Sequence, residues 1–340
     1  MLAAAPRALA VEELTTLPAL EALEPEWRDL CARAPGAGPF QLPDWLLPWT
    51  RCFAPREPWV LCARAAGRLV GVLPLLRWRD GASRLVAPLG AGISDTHDAV
   101  LDPAHADAAR AALLRRLAAA RASFDRVDLE QLPPASPLLT APLPLGLRDE
   151  VTPQDARPVV RLPRGAAFAA VVPAGQRRKL ARYRRAAARA GGLALELAAP
   201  ADAPAAMERL IRLHGARWSR RGEAGMVAAP ELQDFHREVA ARMAQRGALR
   251  LYTLRLAGAP IASLYAFAVR ERLSCYLQGF APAVAHLSPG VLLLGAVLEA
   301  ALADGVAVVD LLRGQEPYKY DWGATDEWNQ RRRLWPAEAA

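Results

Sequence analysis

Leu-Ser-Cys-Tyr-Leu-Gln-Gly-Phe at Leu273–Phe280, Ser-Pro-Gly at Ser288–Gly290, Val-Ala-Val-Val-Asp-Leu-Leu-Arg-Gly at Val306–Gly314 and Glu-Pro-Tyr-Lys at Glu316–Lys319 read in turn as a strand, a helix start, a second strand and a polar cluster. A strand, a helix and a parallel strand join by a right-handed crossover, which brings the helix N-terminus and both strand ends to one edge of the sheet. Ligands of such sheets bind at that edge. Leu273, Cys275 and Leu277 share one face of the first strand and Ser274, Tyr276 and Gln278 the other, so the polar face either lines a site or meets solvent. On the second strand Val306, Val308, Asp310 and Leu312 share a face. An acid in such a row needs a partner, and Asp310 is either a structural anchor or a base. Ser288 suits an N-cap and Pro289 a first helical turn, while Gly290 leaves the backbone uncovered. The turn is therefore either an ordinary cap or a phosphate cradle. The helix that follows is apolar nearly all round apart from Glu299, which predicts burial on more than one side, and Gly295 within it allows close packing.

Working outward, the chain in front of this stretch shows the same pattern twice. Trp59–Arg64 and Leu69–Trp78 are apolar runs about Ala66-Gly67, and Leu249–Arg255 and Ile261–Val269 are apolar runs about Ala257-Gly258. Both read as hairpins. Gly67 maps onto Gly258, and Arg79-Asp80-Gly81 onto Arg270-Glu271-Arg272, at one offset of 191 residues. At a slightly shorter offset Val127-Asp128-Leu129 maps onto Val309-Asp310-Leu311. Both halves thus read hairpin, strand, helix, strand, which is either the signature of an internal repeat or a chance similarity of two amphipathic hairpins. Further strands are expected at Arg84–Pro88 and Val159–Leu162, and helices at about Val11–Ala34, from Asp102-Pro103 to about Arg121, at Gln176–Ala190, Ala203–Arg217 and Pro230–Gln245. The proline-rich passage Leu132–Leu145 is the candidate linker, dividing the chain into domains at 1–150 and 151–340.

With 340 residues and 53% hydrophobic content there is ample material for two cores. The net charge of +8, from 43 Lys+Arg against 35 Asp+Glu, suits an anionic ligand such as a phosphorylated cofactor. Cys31, Cys52, Cys62 and Cys275 form no CxxC pair and have no histidine at ligand spacing, so no zinc site, disulfide framework or other metal site is expected. Arg7 and the acids at Glu12 and Glu13 make the N-terminus a poor signal peptide, and Glu299 and Asp304 make Val291–Val309 too polar for a membrane span. The expectation is a soluble cytoplasmic protein.

Gly258-Ala-Pro-Ile-Ala-Ser263, the Tyr-Leu-Gln-Gly-Phe strand, Ser-Pro-Gly, and Asp310-Leu-Leu-Arg-Gly-Gln-Glu-Pro-Tyr-Lys319 together resemble the C-terminal acyltransferase domain of the CelD-like branch of the GNAT superfamily. His214-Gly-Ala-Arg-Trp218 with Gly222 resembles that branch's upstream helix motif, and Pro39-Phe40-Gln41, Trp45, Leu73-Pro74-Leu75 and Ser94-Asp95 match its first half. The resemblance implies an α/β (α+β) fold of tandem GNAT-like domains, each a mixed, mostly antiparallel sheet with flanking helices, as in the related Fem peptidyltransferases. It also implies acetyl-CoA or another acyl-CoA as co-substrate of the second domain, with the pyrophosphate on Ser288, Pro289 and Gly290 and backbone donors to the thioester near Gln278, Gly279 and Phe280. The loop His286–Gly290 carries less glycine than the usual GNAT phosphate loop, and Fem-type relatives use aminoacyl-tRNA instead. The first half has Glu130-Gln131-Leu132-Pro133 in place of Leu312-Arg313-Gly314-Gln315, and no cofactor site is expected there.

Acyl transfer to an amine asks for donors to the thioester carbonyl, a base for the amine proton and an acid for the leaving thiolate. Glu316 or Asp310 is the candidate base and Tyr318 the candidate acid. Arg313 and Lys319 are candidates for holding an anionic group, Trp218 for substrate contact. His214 is either a base or a hydrogen-bonded histidine within a helical layer, and the loop bearing Asp95 and His97 either closes over a cleft or merely turns the chain. The seven cations of Gln176–Ala190 suit RNA, a cofactor 3′-phosphate, anionic glycans or plain solvation, and Tyr183 alone is too little stacking surface for a single-strand reader. The expected function is an N-acyltransferase acting on the amine of a small molecule or glycan precursor, with nucleic acid a partner only under the aminoacyl-tRNA alternative; a non-catalytic polysaccharide-biosynthesis protein is the third reading.

Overall fold

The computed structural model describes residues 9–53, 57–219, 222–223 and 225–337. The first eight residues, which hold most of the segment read as a poor signal peptide, lie outside that range. Two compact units emerge: the described parts of Met1–Asp155 with Trp328–Ala340, and Ala156–Glu327. The sequence division had assigned everything after residue 150 to the second.

The first unit opens with β1 (Ala10–Leu14), α1 (Leu17–Arg33), α2 (Pro43–Cys52), β2 (Glu57–Ala65), β3 (Arg68–Asp80) and β4 (Ser83–Pro88). It continues with β5 (Val100–Leu101), α3 (Ala106–Ala119), β6 (Arg126–Leu132) and the start of β7 (Leu147–Arg161). Strands β1 to β4 pair antiparallel in order, and β4 pairs parallel with β6 through Leu85↔Arg126 and Val86↔Val127. The core lies between this sheet and α3, with Trp59, Leu61, Val70, Leu113, Leu117 and Val127 at its centre.

The second unit takes the rest of β7 and then α4 (Phe168–Val171), α5 (Ala174–Arg189), β8 (Leu193–Leu197), α6 (Ala203–Ser219) and α7 (Pro230–Gln245). Next come β9 (Leu249–Leu256), β10 (Ala259–Val269), β11 (Arg272–Phe280), α8 (Pro289–Ala303), β12 (Val308–Asp310) and α9 (Pro317–Tyr320). Strands β8 to β11 pair antiparallel in order, and β11 pairs parallel with β12 through Arg272–Ser274 and Val308–Asp310. This is the crossover expected from the sequence, with β7 antiparallel on the far side of β12. Leu254, Leu264, Leu273, Leu293, Val297 and Val309 centre this core. The chain ends as β13 (Thr325–Pro336), whose Gln330–Leu334 segment pairs antiparallel with β6. Each unit is therefore a mixed, mostly antiparallel sheet with flanking helices, and the strand order repeats. Even the first hairpin turns are twins, with Ala66 and Gly67 at φ +47° and +85° and Ala257 and Gly258 at +48° and +80°.

Several elements differ from expectation. Residues 10–14 are a strand, because they pair with β2, and the helix begins only after Thr16, whose Oγ1 accepts from Ala19 N–H at 3.4 Å, with Pro18 in the first turn. Asp102 does not cap α3: its carboxylate takes Ala104 N–H at 2.9 Å and is ion-paired with Arg33, so the helix starts later. The passage taken as a linker is part of the first unit, since Leu138 and Ala141 sit in its core. Strand β12 spans only three residues, because Leu312 adopts φ +58° and its N–H turns back to the Asp310 carboxylate at 3.0 Å. The second hairpin turns correspond at 81–82 and 270–271, an offset of 189, because β3 is two residues longer than β10.

Candidate functional site

Strand β11 keeps its pairing with β10 as far as Phe280, but β12 accompanies it only to Ser274. Beyond that point no strand among the described residues lies beside this edge of β11. A cleft of about 250 Å³ opens there, lined by Gln278 and Phe280 from the free edge, Ser288 to Val291 from the start of α8, and Tyr318 and Trp322 from the segment after β12. Helix α5 adds Gln176 and Lys179, and α6 adds Arg217, whose guanidinium stands 5.0 Å from the Phe280 ring centroid.

The α8 turn differs from an ordinary cap. Ser288 occupies the cap position at φ +49°, a left-handed conformation, and its side chain makes no capping hydrogen bond. Its hydroxyl instead meets the Tyr183 phenol, whose pKa this contact lowers. Val291 and Leu292 N–H both donate to the Ser288 carbonyl, at 2.9 and 3.2 Å. Proline has no N–H, which leaves Gly290 N–H as the open donor of this turn among the described residues. A Cβ at Gly290 would meet nothing within 4 Å, so its backbone is accessible.

Tyr318 is 40% exposed and its hydroxyl accepts from Gln278 Nε2 at 3.3 Å. Burial, then the neighbouring Glu316 charge, push its pKa up to about 12, so it is protonated at neutral pH. Glu316 is exposed and paired with Lys319 at 2.9 Å.

Other expected site residues turn out to hold the framework. Asp310 is fully buried, and its carboxylate takes Arg272 at 2.8 Å, Arg157 at 3.1 Å and Leu312 N–H, so it anchors the strand end and does not line the cleft. Lys319 is 2% exposed and its ammonium donates to the carbonyls of Leu312, Arg313 and Gly314 at 3.0, 2.8 and 2.9 Å. It therefore fastens the turn after β12 and is not presented to a ligand. Gly279 is a packing glycine: a Cβ there would collide with the backbone of Leu213 and His214, so α6 lies directly against β11. His214 donates from Nδ1 to the Gln278 carbonyl at 3.0 Å, and burial lowers its pKa, which keeps it neutral. It fixes the strand to the helix and does not line the cleft. Trp218 packs on His214 and under Arg217, at 5.9 and 5.5 Å, on the same helix and also outside the cleft. Arg313 is half-buried on the turn that Lys319 holds.

Asp95 and His97 belong to the first unit and are both buried. The Asp95 carbonyl accepts from Asn329 Nδ2 at 3.0 Å, while His97 bonds the Glu130 carbonyl through Nδ1 at 3.1 Å and the Gln131 carbonyl through its N–H at 3.0 Å. Their loop is locked into its own unit. Sequence reasoning did not single out Gln176, Lys179, Arg217 or Trp322 as site residues: the first two sit on the helix noted for its charge, Arg217 stands inside the His214–Trp218 motif, and no local pattern marks Trp322. Among the described residues no group of three or more His, Cys, Asp or Glu side chains is placed to hold a metal ion, and no helix is long and apolar enough to cross a membrane.

Residues 174–320, which include every residue lining the cleft except Asp321 and Trp322, match the family model described as an acetyltransferase (GNAT) domain. None of the curated proteins matches the chain. Among solved structures it is similar to FemX, at 11% identity and a TM-score of 0.64 over 94% of this chain and 96% of that one. It is also similar to the C-terminal domain of an Agrobacterium fabrum protein named as a lysylphosphatidylglycerol synthetase, at 15% identity and a TM-score of 0.61 over 94% and 92%. A third is L-PGS from Bacillus licheniformis, at 12% identity and a TM-score of 0.58 over 95% and 92%. The fold is thus the GNAT type, in a two-unit arrangement that these structures cover almost end to end.

Proposed function

We propose that the second unit is an N-acyltransferase that moves an acyl group, acetyl in the first instance, from acyl-CoA to an amine. The acceptor we infer is an amino sugar or another cell-envelope or exopolysaccharide precursor met in the cytoplasm, as in the CelD-like branch whose motifs the chain carries. The observation that supports this best is the cleft itself: a strand edge without a neighbour, a helix start with an accessible backbone and a protonated phenol face one space. A thioester laid along the edge of β11 finds hydrogen-bond donors there, and its phosphate end meets the α8 turn and Lys179. The amine attacks the carbonyl carbon, the C–N bond forms and the C–S bond breaks. Tyr318 donates a hydrogen bond to the departing thiolate, while Glu316, exposed beside it, accepts the amine proton.

Calorimetry with acetyl-CoA tests this. The expected result is micromolar binding that Gly290→Glu abolishes without a change in thermal unfolding, since the new side chain meets open space while its charge repels a phosphate. Tyr318→Phe should keep the binding and lower turnover by about 100-fold. Wild-type protein that ignores acetyl-CoA but binds aminoacyl-tRNA would instead support a Fem-like transferase, and binding of neither would support an accessory protein of polysaccharide production.

A further inference from the structure

Helix α5 carries no acidic residue, and its charges divide into two sets. Lys179 and Arg184 are tied down, to Asp321 at 3.2 Å and to Glu299 at 2.6 Å, as is Arg177, whose Nε donates to the Val172 carbonyl at 3.1 Å. Arg178, Arg182, Arg185 and Arg189 are exposed, and none has an acidic partner among the described residues; Arg182 lies 4.7 Å over the Tyr183 ring. Their spacing of four, three and four residues puts all four within roughly 60° of one another around the helix, in a line about 16 Å long. Four unpaired arginines in a row repel each other, and together they equal half of the net charge of +8. The line starts beside the cleft, because Lys179, the residue after Arg178, lines it.

We infer that the thioester taken by this unit is presented by an acidic helical carrier protein, with the phosphopantetheine arm in the cleft and the carrier's acidic helix along the arginine line of α5. This rests on the acyltransferase reading above and narrows its donor. Two features favour a carrier over free CoA. The α8 turn offers one open backbone N–H, at Gly290, which suits the single phosphodiester joining phosphopantetheine to a carrier serine better than a pyrophosphate. The arginine line also runs well beyond what a compact nucleotide would cover, whereas a helix of similar length with acids on one face would match it. Polynucleotide is disfavoured because the one aromatic of α5, Tyr183, is turned onto Ser288 and leaves no stacking surface. A membrane is disfavoured because only alanines and Gly175 flank the arginines on the exposed side, so nothing there would insert. The chemistry balances as for CoA: the amine nitrogen takes the acyl carbon, the C–S bond breaks, and the carrier leaves as the free thiol with the amine's proton.

The test measures binding of an acetylated fatty-acid-type acyl carrier protein and of acetyl-CoA to the full chain and to its Arg178→Ala/Arg182→Ala/Arg185→Ala/Arg189→Ala variant, at 50 and 200 mM salt. Alanine favours helix and the four sites are exposed, so thermal unfolding should be unchanged. The expected result is carrier binding about tenfold tighter than acetyl-CoA binding, weakened by salt, and lost at least tenfold in the variant while acetyl-CoA binding stays the same. Carrier binding no tighter than acetyl-CoA, or equal in the two proteins, overturns the inference and leaves the acyltransferase reading in place. So does a variant that loses acetyl-CoA equally, which would give the arginines to the nucleotide. If neither thioester binds and an RNA hairpin does, both readings fall.

Discussion

In both units the fourth strand pairs with its parallel neighbour over only two or three residues, β4 with β6 and β11 with β12, and a gap opens where the two part. In the second unit the gap holds about 250 Å³ and is lined by strand edge, helix start and phenol. The equivalent place in the first unit, bordered by Pro88, Leu89, Leu129 and Leu132, holds about 10 Å³, because Gln41, His97 and Asp98 fill it. Gln41 itself is fixed, donating to the Thr96 carbonyl at 2.8 Å and accepting from Gly38 N–H at 3.0 Å. The connection from β4 to α3 makes the difference. It is long enough to fold back into the gap and add β5 beside β3, whereas the connection from β11 to α8 is short and leaves the gap open. One scaffold thus yields a cleft or a plug according to the loops that border the gap, here the β4–α3 connection with His97 and Asp98 and the α1–α2 connection with Gln41.

The strongest way to break this comparison is through the acid that each parallel partner carries, Asp128 on β6 and Asp310 on β12. Asp310 is fully buried between Arg157 and Arg272, whereas Asp128 is 11% exposed and meets Arg331 at 2.6 Å, with Arg333 farther off. Asp310→Asn takes the buried carboxylate from Arg157 and Arg272, which keep only Glu327 at 2.9 and 3.3 Å, and should cost about 3 kcal/mol. Asp128→Asn breaks a pair whose arginine is 27% exposed and keeps access to water, and should cost less, about 1 kcal/mol. Urea unfolding read by hydrogen exchange in β9–β11 and in β2–β4 would separate the two. Equal losses would mean that the acids do the same work in both units.

Acidity should pull the units in opposite directions, with a smaller effect. Asp98 is buried on the hydroxyl of Ser136 and Ala99 N–H, and burial raises its pKa from 3.8 to about 7. A raised folded-state value contributes stability that is complete below about 4 and disappears as pH climbs to about 7. His236 goes the other way, lowered by burial and then by nearby His214 from 6.5 to about 3, so its contribution is present above 6.5 and is lost on acidification toward 3. Between about pH 4 and 6.5 the first unit should weaken, and the second strengthen, as pH rises. Asp98→Asn should flatten the first slope and His236→Leu the second; exchange rates that move together in both units would refute the assignment.

What could be read beforehand followed range in sequence. The two hairpins, the crossover and α5 to α8 rest on contacts within a few residues or on plain periodicity, and they fall where the pattern puts them. The meeting of the α8 start with the ends of β11 and β12 was legible too, as a consequence of topology. Roles that depend on distant residues were not. Asp310 looked like a possible base because Arg157, its buried partner, lies 153 residues earlier, and Gly279 looked like a cofactor contact because its neighbour is the backbone of α6. Lys319 looked like an anion site until three carbonyls only five to seven residues away turned out to surround it, an arrangement made by the φ of +58° and +104° at Leu312 and Gly314. Strand β1 was lost in the helix pattern behind it, since only pairing with β2 makes those five residues extended.

The finest comparison is between the twin turns. Ala66 and Ala257 hold left-handed backbones at φ +47° and +48°, which for a residue with a Cβ costs roughly 1–2 kcal/mol and for glycine almost nothing. Replacing either by glycine removes that strain but frees the unfolded chain, which takes back about 0.5–1 kcal/mol. Ala66→Gly should therefore raise stability by about 0.5 kcal/mol, the difference between the two effects. Ala257→Gly should gain less, because the Ala257 methyl lies against Gly191, where an added Cβ would sit 2.6 Å from it, and that packing goes with the methyl. Denaturation midpoints of the two variants would show it. A larger gain at 257 than at 66 would mean that the contact with Gly191 is itself strained, and that the repeat is less faithful at its turns than its backbone angles indicate.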